Sequence, residues 1–528
     1  MATMNSKRNS IPKDINTTVN HEGMAVHNLN ALESLFSKVL GSFFGESTFY
    51  EKKSVDKDFS EIKRLISEVS DKDIEYVLKI AEIGRQYNMI TYPLALLTAC
   101  FNDERFKYGR VNFKKYSGTI IRRGKDILDI MAMQLNSYTK PLPKQFRKCL
   151  KWKLETFNEY QLSKSLGTSK EVSLADCIKL LRPNAKVARV SNTFYKDVIE
   201  GKVKFGGETE QIQSAISKAK NSNNSATKET VKKSINTSTL QAVLKNLVAL
   251  YRQGIFEDND ALNNVVSKLT SKKEIEKSRL LPFRFYSAYT EVSNLPSFKG
   301  KTSLLTAISK ALDMSIYNLK DIDGYNAILV DRSGSMQYSV SGASNVTADL
   351  VACILAAITF KKGNADVYVF GTSCEQVKGL NRSSTIIDLV DKIRCCLVDC
   401  GTGTCIDRAF CTIYKSGVHY DNLIIFSDNE CYTIDKKNSF VFSNWWECSP
   451  QIYANNLLKR RVVKKIFIDN LLGNNFAIVN TNDYRQNLIT GFSERVIDII
   501  NVYSSLGSGA KDIRKIIDSI YGTLEERK

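Results

Sequence analysis

The sequence lacks the features that mark secreted, membrane-spanning or zinc-binding proteins. Its first twenty residues are polar and carry no apolar run of the kind found in signal peptides, and no apolar stretch is long enough to span a bilayer. Histidine occurs only three times, at His21, His27 and His419. These absences predict a soluble, intracellular protein, which we expect in the cytoplasm and away from membranes.

Cysteine is present in number but not in the spacing that a metal or disulfide framework requires. Nine of the 12 cysteines lie between Cys353 and Cys448, and none of them forms a paired C-x-x-C motif. With so few histidines, a zinc site is the weaker alternative. We expect buried, reduced thiols that pack as small apolar side chains.

The positive charge is confined to one part of the chain. Residues 321–528 contain 23 basic and 23 acidic residues, whereas residues 1–320 contain 52 basic and 33 acidic residues and carry the whole net charge of +19. An asymmetry of this kind indicates a polyanion partner for the first part and a different role for the second.

The hydropathy pattern divides the 528 residues into three segments. We expect residues 1–25 to be a disordered tail and residues 26–320 to form an irregular helical-repeat domain, with a flexible loop near 219–239 that is rich in Asn, Ser, Thr and Lys. In residues 321–528, short apolar strands alternate with helices. This alternation predicts a doubly wound α/β domain with a mainly parallel sheet. The candidate strands are Ala327–Val330, Asp366–Phe370, Leu423–Phe426 and Lys465–Ile468, and the clearest helices are Val346–Phe360 and Cys405–Lys415.

Oxygen-bearing side chains follow two of these strands. Asp331, Ser333 and Ser335 follow the first in the form D-x-S-x-S, and Ser427 and Asp428 follow the third; a G-T-G-T segment that ends at Thr404 lies between them. The carboxyl ends of parallel strands share one edge of a sheet, so these groups should meet there. Carboxylates and hydroxyls are hard donors that suit Mg²⁺ or Mn²⁺. Alone, D-x-S-x-S also occurs as a turn or helix cap.

One predicted helix carries a stripe of cations. Lys144, Arg147, Lys148 and Lys151 recur at helical spacing on one face, while apolar residues occupy another. Like charges along one face repel one another unless an anion is present, although a solvated face is the alternative.

Further cations follow nearby. The segment VSLADCIKLLRPNAK predicts a helix that Ser173 caps and that ends before Pro183, with Lys179 and Arg182 outside the buried stripe. Arg122 and Arg123 lie near interleaved aromatic residues, an arrangement that suits phosphates and stacked bases, although core packing is the alternative for the aromatics.

These segments resemble the Ro autoantigen family, also called the TROVE-domain family. VSLADCIKLLRPNAK, LQAVLKNLVALYRQGIF and SRLLPFRFYSAY are similar to its helical module, and ILVDRSGSM, LIIFSDNECYT and IFIDNLLGNNFAIVNTND are similar to its von Willebrand factor A domain. The resemblance implies a ring of HEAT-like helical repeats followed by a doubly wound A domain. Arg182 stands where many members have a histidine used in RNA binding, which keeps a positive charge but not a neutral imidazole.

The resemblance also implies a metal-ion-dependent adhesion site. In that pattern, Ser333, Ser335 and Thr404 coordinate Mg²⁺ or Mn²⁺ directly, and Asp331 and Asp428 act directly or through water. Thr404 fits the family's G-T motif better than Thr402 does, but Thr402 remains an alternative metal ligand. Arg332 is unusual because it adds a cation beside the site.

The function that follows is non-catalytic RNA binding. The resemblance implies binding of small structured noncoding RNA of the Y type and of the single-stranded 3′ ends of misfolded RNA by a monomeric ring, in RNA quality control or as a tether to an exoribonuclease. The alternatives are a metal-dependent protein-interaction module and, less favoured, a metal-dependent nuclease, for which the sequence offers no second-metal cluster.

Overall fold

The computed structural model describes residues 17–22, 24–41, 54–106, 111–138, 142–166, 171–203, 232–233, 235–278, 280, 282–317, 319–340, 346–396, 403–432, 450–471, 476–490 and 495–525. In these ranges, no helix is both long enough and apolar enough to cross a membrane. Most of the loop predicted near 219–239 lies outside the described residues.

The first part of the chain is helical. Its helices are α1 (Ala31–Gly41), α2 (Val55–Glu68), α3 (Glu75–Gln86), α4 (Thr91–Asn102), α5 (Phe113–Ile120), α6 (Gly124–Ser137), α7 (Lys144–Thr156), α8 (Glu159–Ser163), α9 (Leu174–Leu181), α10 (Phe194–Ile199), α11 (Leu240–Arg252), α12 (Asn259–Leu269), α13 (Lys272–Ser278), α14 (Pro282–Ser293) and α15 (Lys301–Ser315). Short 3₁₀ turns lie at Glu104–Phe106 and Ile255–Glu257.

Helix α9 shows how local sequence sets these elements. The Ser173 hydroxyl accepts a hydrogen bond from the backbone N–H of Asp176, and the Asp176 carboxylate accepts one from the backbone N–H of Ser173. This capping box satisfies two N–H groups that the first turn leaves without helical partners. The helix ends at Arg182, which adopts a left-handed conformation with φ 50° immediately before Pro183.

The second part is the predicted α/β domain. Its strands are β3 (Ile322–Asp331), β4 (Gly363–Phe370), β5 (Cys374–Gln376), β6 (Tyr420–Ser427), β7 (Val463–Asn470) and β9 (Gln486–Ile489). Its helices are α16 (Ala348–Lys362), α17 (Ile386–Arg394), α18 (Ile406–Lys415), α19 (Pro450–Lys459), α20 (Arg495–Leu506) and α21 (Ile513–Glu525), with 3₁₀ turns at Gly334–Gln337 and Gly507–Lys511. All four candidate strands and both helices named from the sequence are present.

The sheet has the order β5-β4-β3-β6-β7-β9, and every pairing except β4 with β5 is parallel. The chain passes from β3 to β4 on one side and later returns to β6 on the other. The carboxyl ends of β3 and β6 therefore lie at the point where the strand order reverses, which is the usual ligand site in doubly wound sheets.

The N-terminal segment is ordered where a disordered tail was expected. Strands β1 (Thr17–Val19) and β2 (Ala25–Asn28) form an antiparallel hairpin, and β2 also pairs with β8 (Phe476–Ala477) of the α/β part. The tail prediction is therefore wrong for residues 17–22, 24 and 25. Pairing with a strand more than 400 positions away supplies backbone hydrogen bonds that the local sequence does not reveal.

The last helix of the chain also connects the α/β part to the helical part. Helix α21 packs against α3, and the side chains of Lys79 and Tyr76 bond to Asp518 at 2.5 and 2.7 Å. The domain boundary at 320/321 stays a prediction, because the outermost segments of the chain make contacts across it.

The cysteines are mostly in the core. Eight of those in the described ranges are buried, Cys396 is partly exposed and Cys395 is exposed, and none of these ten forms a disulfide. Burial raises the pKa of the Cys353 and Cys431 thiols well above the usual range, which suits inert packing rather than metal ligation.

Candidate metal centre and nucleic-acid surface

Asp331 is the last residue of β3 and is fully buried. Its Oδ2 accepts a hydrogen bond of 2.6 Å from the hydroxyl of Ser427, the last residue of β6, and its Oδ1 accepts one of 2.9 Å from the backbone N–H of Ser333. The sheet fixes the positions of Asp331 and Ser427, because the residues directly before them, Val330 and Phe426, are paired in the parallel register of β3 and β6. The two sequence motifs therefore meet, as predicted.

The hydroxyl of Ser335 in the first motif faces the carboxylate of Asp428 in the second. The Oγ atoms of Ser333 and Ser335 lie 3.1 Å apart, and both residues are buried. A hydrogen bond from Ser335 lowers the pKa of Asp428, although burial raises it more. The two serines and the two aspartates thus converge on one small buried volume.

Thr404 lies at the same edge of the sheet. It is buried, and its carbonyl accepts a hydrogen bond of 2.9 Å from the backbone N–H of Tyr432, four residues after Asp428. The backbone N–H of the following Cys405 bonds to the carbonyl of Gly371, next to the end of β4. Thr402, the alternative ligand, lies outside the described residues.

The electrostatics of the pair fit a cation. Burial and, to a lesser extent, the nearby charge of Asp428 together raise the pKa of Asp331 to about 7. Two carboxylates in a site closed to water repel each other, and a divalent ion that both could share would relieve this repulsion. The donor set of carboxylate and hydroxyl oxygens fits Mg²⁺ or Mn²⁺. No group of three or more His, Cys, Asp or Glu side chains suited to a metal occurs in the described ranges, so serines and a threonine would have to complete this set.

Arg332 is directed away from the two aspartates. Its Nε donates a hydrogen bond of 2.8 Å to Asp349, a fully buried residue in the first turn of α16. The Nε of Arg394 lies 3.4 Å from the other oxygen of the same carboxylate. The cation that is unusual in this motif therefore belongs to a buried ion pair that holds the D-x-S-x-S loop against α16.

The N-terminal hairpin supplies residues that the sequence did not point to. The Nδ1 of His21 lies 2.7 Å from Oε1 of Glu430, and the backbone N–H of His21 donates to Oε2 at 2.9 Å. The side-chain amide of Asn20 donates to the carbonyl of Cys431 at 2.8 Å. No local motif marks these contacts, because they join positions about 410 residues apart.

The cationic stripe lies on the surface of α7. Lys144, Arg147 and Lys148 are exposed and Lys151 is partly exposed, whereas the apolar face is buried as predicted. Within the described part of the chain, none of the four cations forms an ion pair with a carboxylate. The stripe is therefore available to an external anion.

A second exposed basic segment joins the end of this helix. Lys179 and Arg182 are exposed at the end of α9. The backbone N–H of Asn184 donates to the Glu155 carboxylate at 2.7 Å, and Glu155 lies one turn beyond Lys151 on the stripe. The basic end of α9 and the stripe are therefore neighbouring parts of one surface rather than remote sites.

Arg122 and Arg123 have structural partners. The guanidinium of Arg123 bonds twice to one oxygen of the buried Asp126, at 2.9 and 2.6 Å, and Arg85 bonds to the other oxygen at 2.6 Å. The Nε of Arg122 donates to the carbonyl of Thr119. Their assignment to RNA stays a prediction, but much of the charge on Arg123 is already balanced by Asp126.

Comparison with known proteins gives a match to a family model and matches to solved structures. Residues 235–340 match the TROVE domain model. The crystal structure of the Ro protein (RSR) of Deinococcus radiodurans superposes with a TM-score of 0.59 at 15% identity, over 93% of this chain and 100% of that chain. Proximal thread matrix protein 1 from the mussel byssus gives a TM-score of 0.23 at 14% identity, over 39% of this chain and 52% of that chain. No curated protein matches by sequence.

The superposition over the whole length of the Deinococcus protein confirms the fold class predicted from the sequence. That class is a helical-repeat module followed by a doubly wound α/β domain.

Proposed function

We propose, from the premise that this chain belongs to the Ro family of TROVE-domain proteins, that it is a non-catalytic RNA-binding protein. The TROVE match and the Ro fold support this reading. The finer reading is that it holds a small structured noncoding RNA of the Y type and takes up single-stranded 3′ ends of misfolded RNA. It would do so as a monomeric ring in the cytoplasm, in RNA quality control or as a tether to an exoribonuclease.

The observation that carries the proposal is the cationic surface of α7 and the end of α9. Six basic side chains lie there, and no salt bridge joins them to a carboxylate among the residues described: Lys144, Arg147, Lys148, Lys151, Lys179 and Arg182. Elsewhere, arginines such as Arg85, Arg105 and Arg514 are paired with aspartates. A surface where cations outnumber carboxylates and are not held in ion pairs suits a phosphate backbone, since phosphates supply the balancing anions.

Aromatic side chains border this surface. Trp152 on α7 is partly exposed, and the ammonium groups of Lys114 and Lys153 lie 5.0 and 5.9 Å from its ring centroid. Cations beside an accessible ring suit unpaired bases, which stack on aromatic faces. The arrangement favours RNA with single-stranded parts over a uniform duplex.

The second part of the chain supports a second proposed role. Asp331, Ser333, Ser335, Thr404 and Asp428 would hold Mg²⁺ or Mn²⁺, and the ion, when bound, supplies an open coordination position for the carboxylate of an acidic partner protein. Asp331 and Ser427 would orient the loop, and the Arg332–Asp349 pair would keep it on α16. This role is separate from RNA binding because the α/β part has no net charge.

The test of the RNA proposal uses the full chain and two labelled RNAs, a stem-loop and the same stem-loop with a single-stranded 3′ extension. Binding measured by fluorescence anisotropy across a series of salt concentrations should weaken steeply, because binding releases counterions from the phosphates. Both RNAs should stay intact during incubation with Mg²⁺, which separates this proposal from a nuclease. An affinity that does not change over a several-fold rise in salt would refute RNA binding through this surface.

A further inference from the structure

The chain between α9 and α10 runs along the end of α7 and the start of α8, where two carboxylates hold its backbone. The Glu155 carboxylate accepts a hydrogen bond of 2.7 Å from the backbone N–H of Asn184. The Glu159 carboxylate accepts one of 2.6 Å from the backbone N–H of Ser191. Hydrogen bonds to an ionised acceptor are stronger than those between neutral groups. Residues 184–191, which we call the basic loop, are therefore held at both ends.

The side chains of the basic loop divide between the core and solvent. Ala185, Ala188 and Val190 are partly buried and pack against the hydrophobic core. Lys186 and Arg189 are exposed. Because the small apolar side chains occupy the inner side of the loop, both cations are directed to the outside.

The two cations of the basic loop are not neutralised by the glutamates that hold it. Glu155 and Glu159 bond to the backbone of the loop, and no salt bridge joins Lys186 or Arg189 to a carboxylate in the part of the chain that the structure describes. The loop follows Arg182 directly and lies beside the α7 stripe, so its cations extend the cationic surface. Exposed cations of this kind suit the phosphates of a nucleic acid.

We propose that the basic loop contacts RNA and that Glu155 and Glu159 are positioning residues for it, because their carboxylates hold the backbone that presents Lys186 and Arg189. The inference rests on the proposed RNA binding and adds a segment that lies outside the stripe. It gives two acidic residues a favourable role in binding a polyanion. Their charge alone would have the opposite effect, since a carboxylate near the surface repels phosphates.

The first experiment separates the hydrogen bonds of the two glutamates from their charge. Glu155→Ala/Glu159→Ala removes both acceptors and both charges, whereas Glu155→Gln/Glu159→Gln removes only the charges, because an amide oxygen still accepts a backbone N–H. Affinity for the labelled stem-loop RNA, measured by anisotropy, should fall about fivefold or more in the alanine variant. It should stay at or above the parent value in the glutamine variant. Tighter binding by both variants would show that the carboxylates act through charge alone, which overturns the positioning role.

Hydrogen–deuterium exchange shows whether the basic loop itself responds. Residues 184–191 should exchange severalfold faster in the alanine variant than in the parent, while the glutamine variant should resemble the parent. Adding RNA should slow exchange there in the parent. The control Glu291→Ala, which removes a carboxylate exposed on α14, should change neither exchange in the loop nor RNA affinity. Exchange in the loop that RNA leaves unchanged in the parent contradicts the contact.

A second variant tests the basic loop without disturbing the glutamates. Lys186→Ala/Arg189→Ala keeps the backbone bonds, and its RNA affinity should fall about fivefold or more. The slope of log affinity against log salt should fall by roughly two if each cation contacts one phosphate. A double variant that binds as the parent does overturns this inference and leaves RNA binding by the parent standing. A parent that shows no salt-dependent RNA binding overturns the proposed function and the inference together.

Discussion

The hydroxyl of Tyr521 donates a hydrogen bond of 2.8 Å to Oε2 of Glu82, across 439 positions of sequence. Tyr521 lies on α21, near the end of the chain, and Glu82 is buried on α3 in the helical part. Together with the bonds from Lys79 and Tyr76 to Asp518, this contact fixes α21 against α3. The α/β part and the start of the helical part are therefore expected to unfold cooperatively.

Replacing Tyr521 by Phe should lower the free energy of unfolding by about 1–3 kcal/mol, because the buried Glu82 carboxylate loses a hydrogen bond while the packing is kept. Denaturant unfolding followed by circular dichroism measures the change. The matched control is Tyr484→Phe, whose ring is 37% exposed. If both variants unfold at the same denaturant concentration as the parent, the contact does not contribute to stability.

Periodicity in the sequence was sufficient to predict the four strands and the helices that were named from it, because apolar spacing directly reflects burial. The stripes of α7 and α9 and the four named strands are where the pattern places them. The hairpin at residues 17–28 was missed, since β1 and β2 are short and their partner β8 contributes only two residues. Nothing in residues 1–25 signals a strand partner so far along the chain.

Removing charge from the stripe should reduce RNA affinity and its salt dependence together. Lys148→Ala and Lys151→Ala should each lower the slope of log affinity against log salt by roughly one if each lysine contacts one phosphate. Anisotropy titrations at several salt concentrations give the slope. The matched control is Lys459→Ala, an exposed lysine at the end of α19; a slope reduced equally in the control would point to general charge effects.

Asp331→Ala and Asp428→Ala should each abolish measurable Mg²⁺ or Mn²⁺ binding, because each removes one of the two carboxylates at the proposed site. RNA affinity should stay within about twofold of the parent, since the cationic surface lies on other elements. Calorimetry and anisotropy on the same protein samples check both statements. An unchanged metal isotherm in both variants would remove these aspartates from any metal site.

The Arg332–Asp349 pair predicts a structural effect at the same loop. Arg332→Ala should destabilise the protein by about 3 kcal/mol, because it leaves a fully buried carboxylate with one of its two arginines. Arg394→Ala should cost less, about 1 kcal/mol, because this side chain is 39% exposed and its contact is longer. Thermal unfolding of both variants ranks them, and the opposite order would show that Arg394 is the main partner of Asp349.

Local motifs in the sequence predicted the residues of the candidate metal centre better than they predicted the contacts around it. D-x-S-x-S and S-D each follow an apolar strand, so the sheet edge where they meet could be inferred from the sequence. The orientation of Arg332 could not be inferred, because it depends on a tertiary contact with α16. The hydrogen bond between His21 and Glu430 could not be inferred either, because it depends on the position of the N-terminal hairpin. The proximity of Arg182 to the stripe could not be inferred from the sequence either, because it depends on the hydrogen bond between Asn184 and Glu155.

The accessibility of the RNA end should decide affinity. If the proposed ring admits a single strand but not a duplex, a 3′ end can enter it only when unpaired, and a folded stem would stay outside and contact surface cations. An RNA with a free single-stranded 3′ end should therefore outcompete the same RNA whose end is paired to a short complementary strand. Arg182→Ala should weaken binding of the free end more than binding of the stem-loop, and Lys148→Ala should weaken both, because the stripe serves the stem in each RNA. Competition anisotropy with the two RNAs and the two variants gives all four comparisons. If paired and free ends compete equally, and both variants bind as the parent does, entry of a single strand into the ring is excluded and only general adhesion of RNA to a basic surface remains.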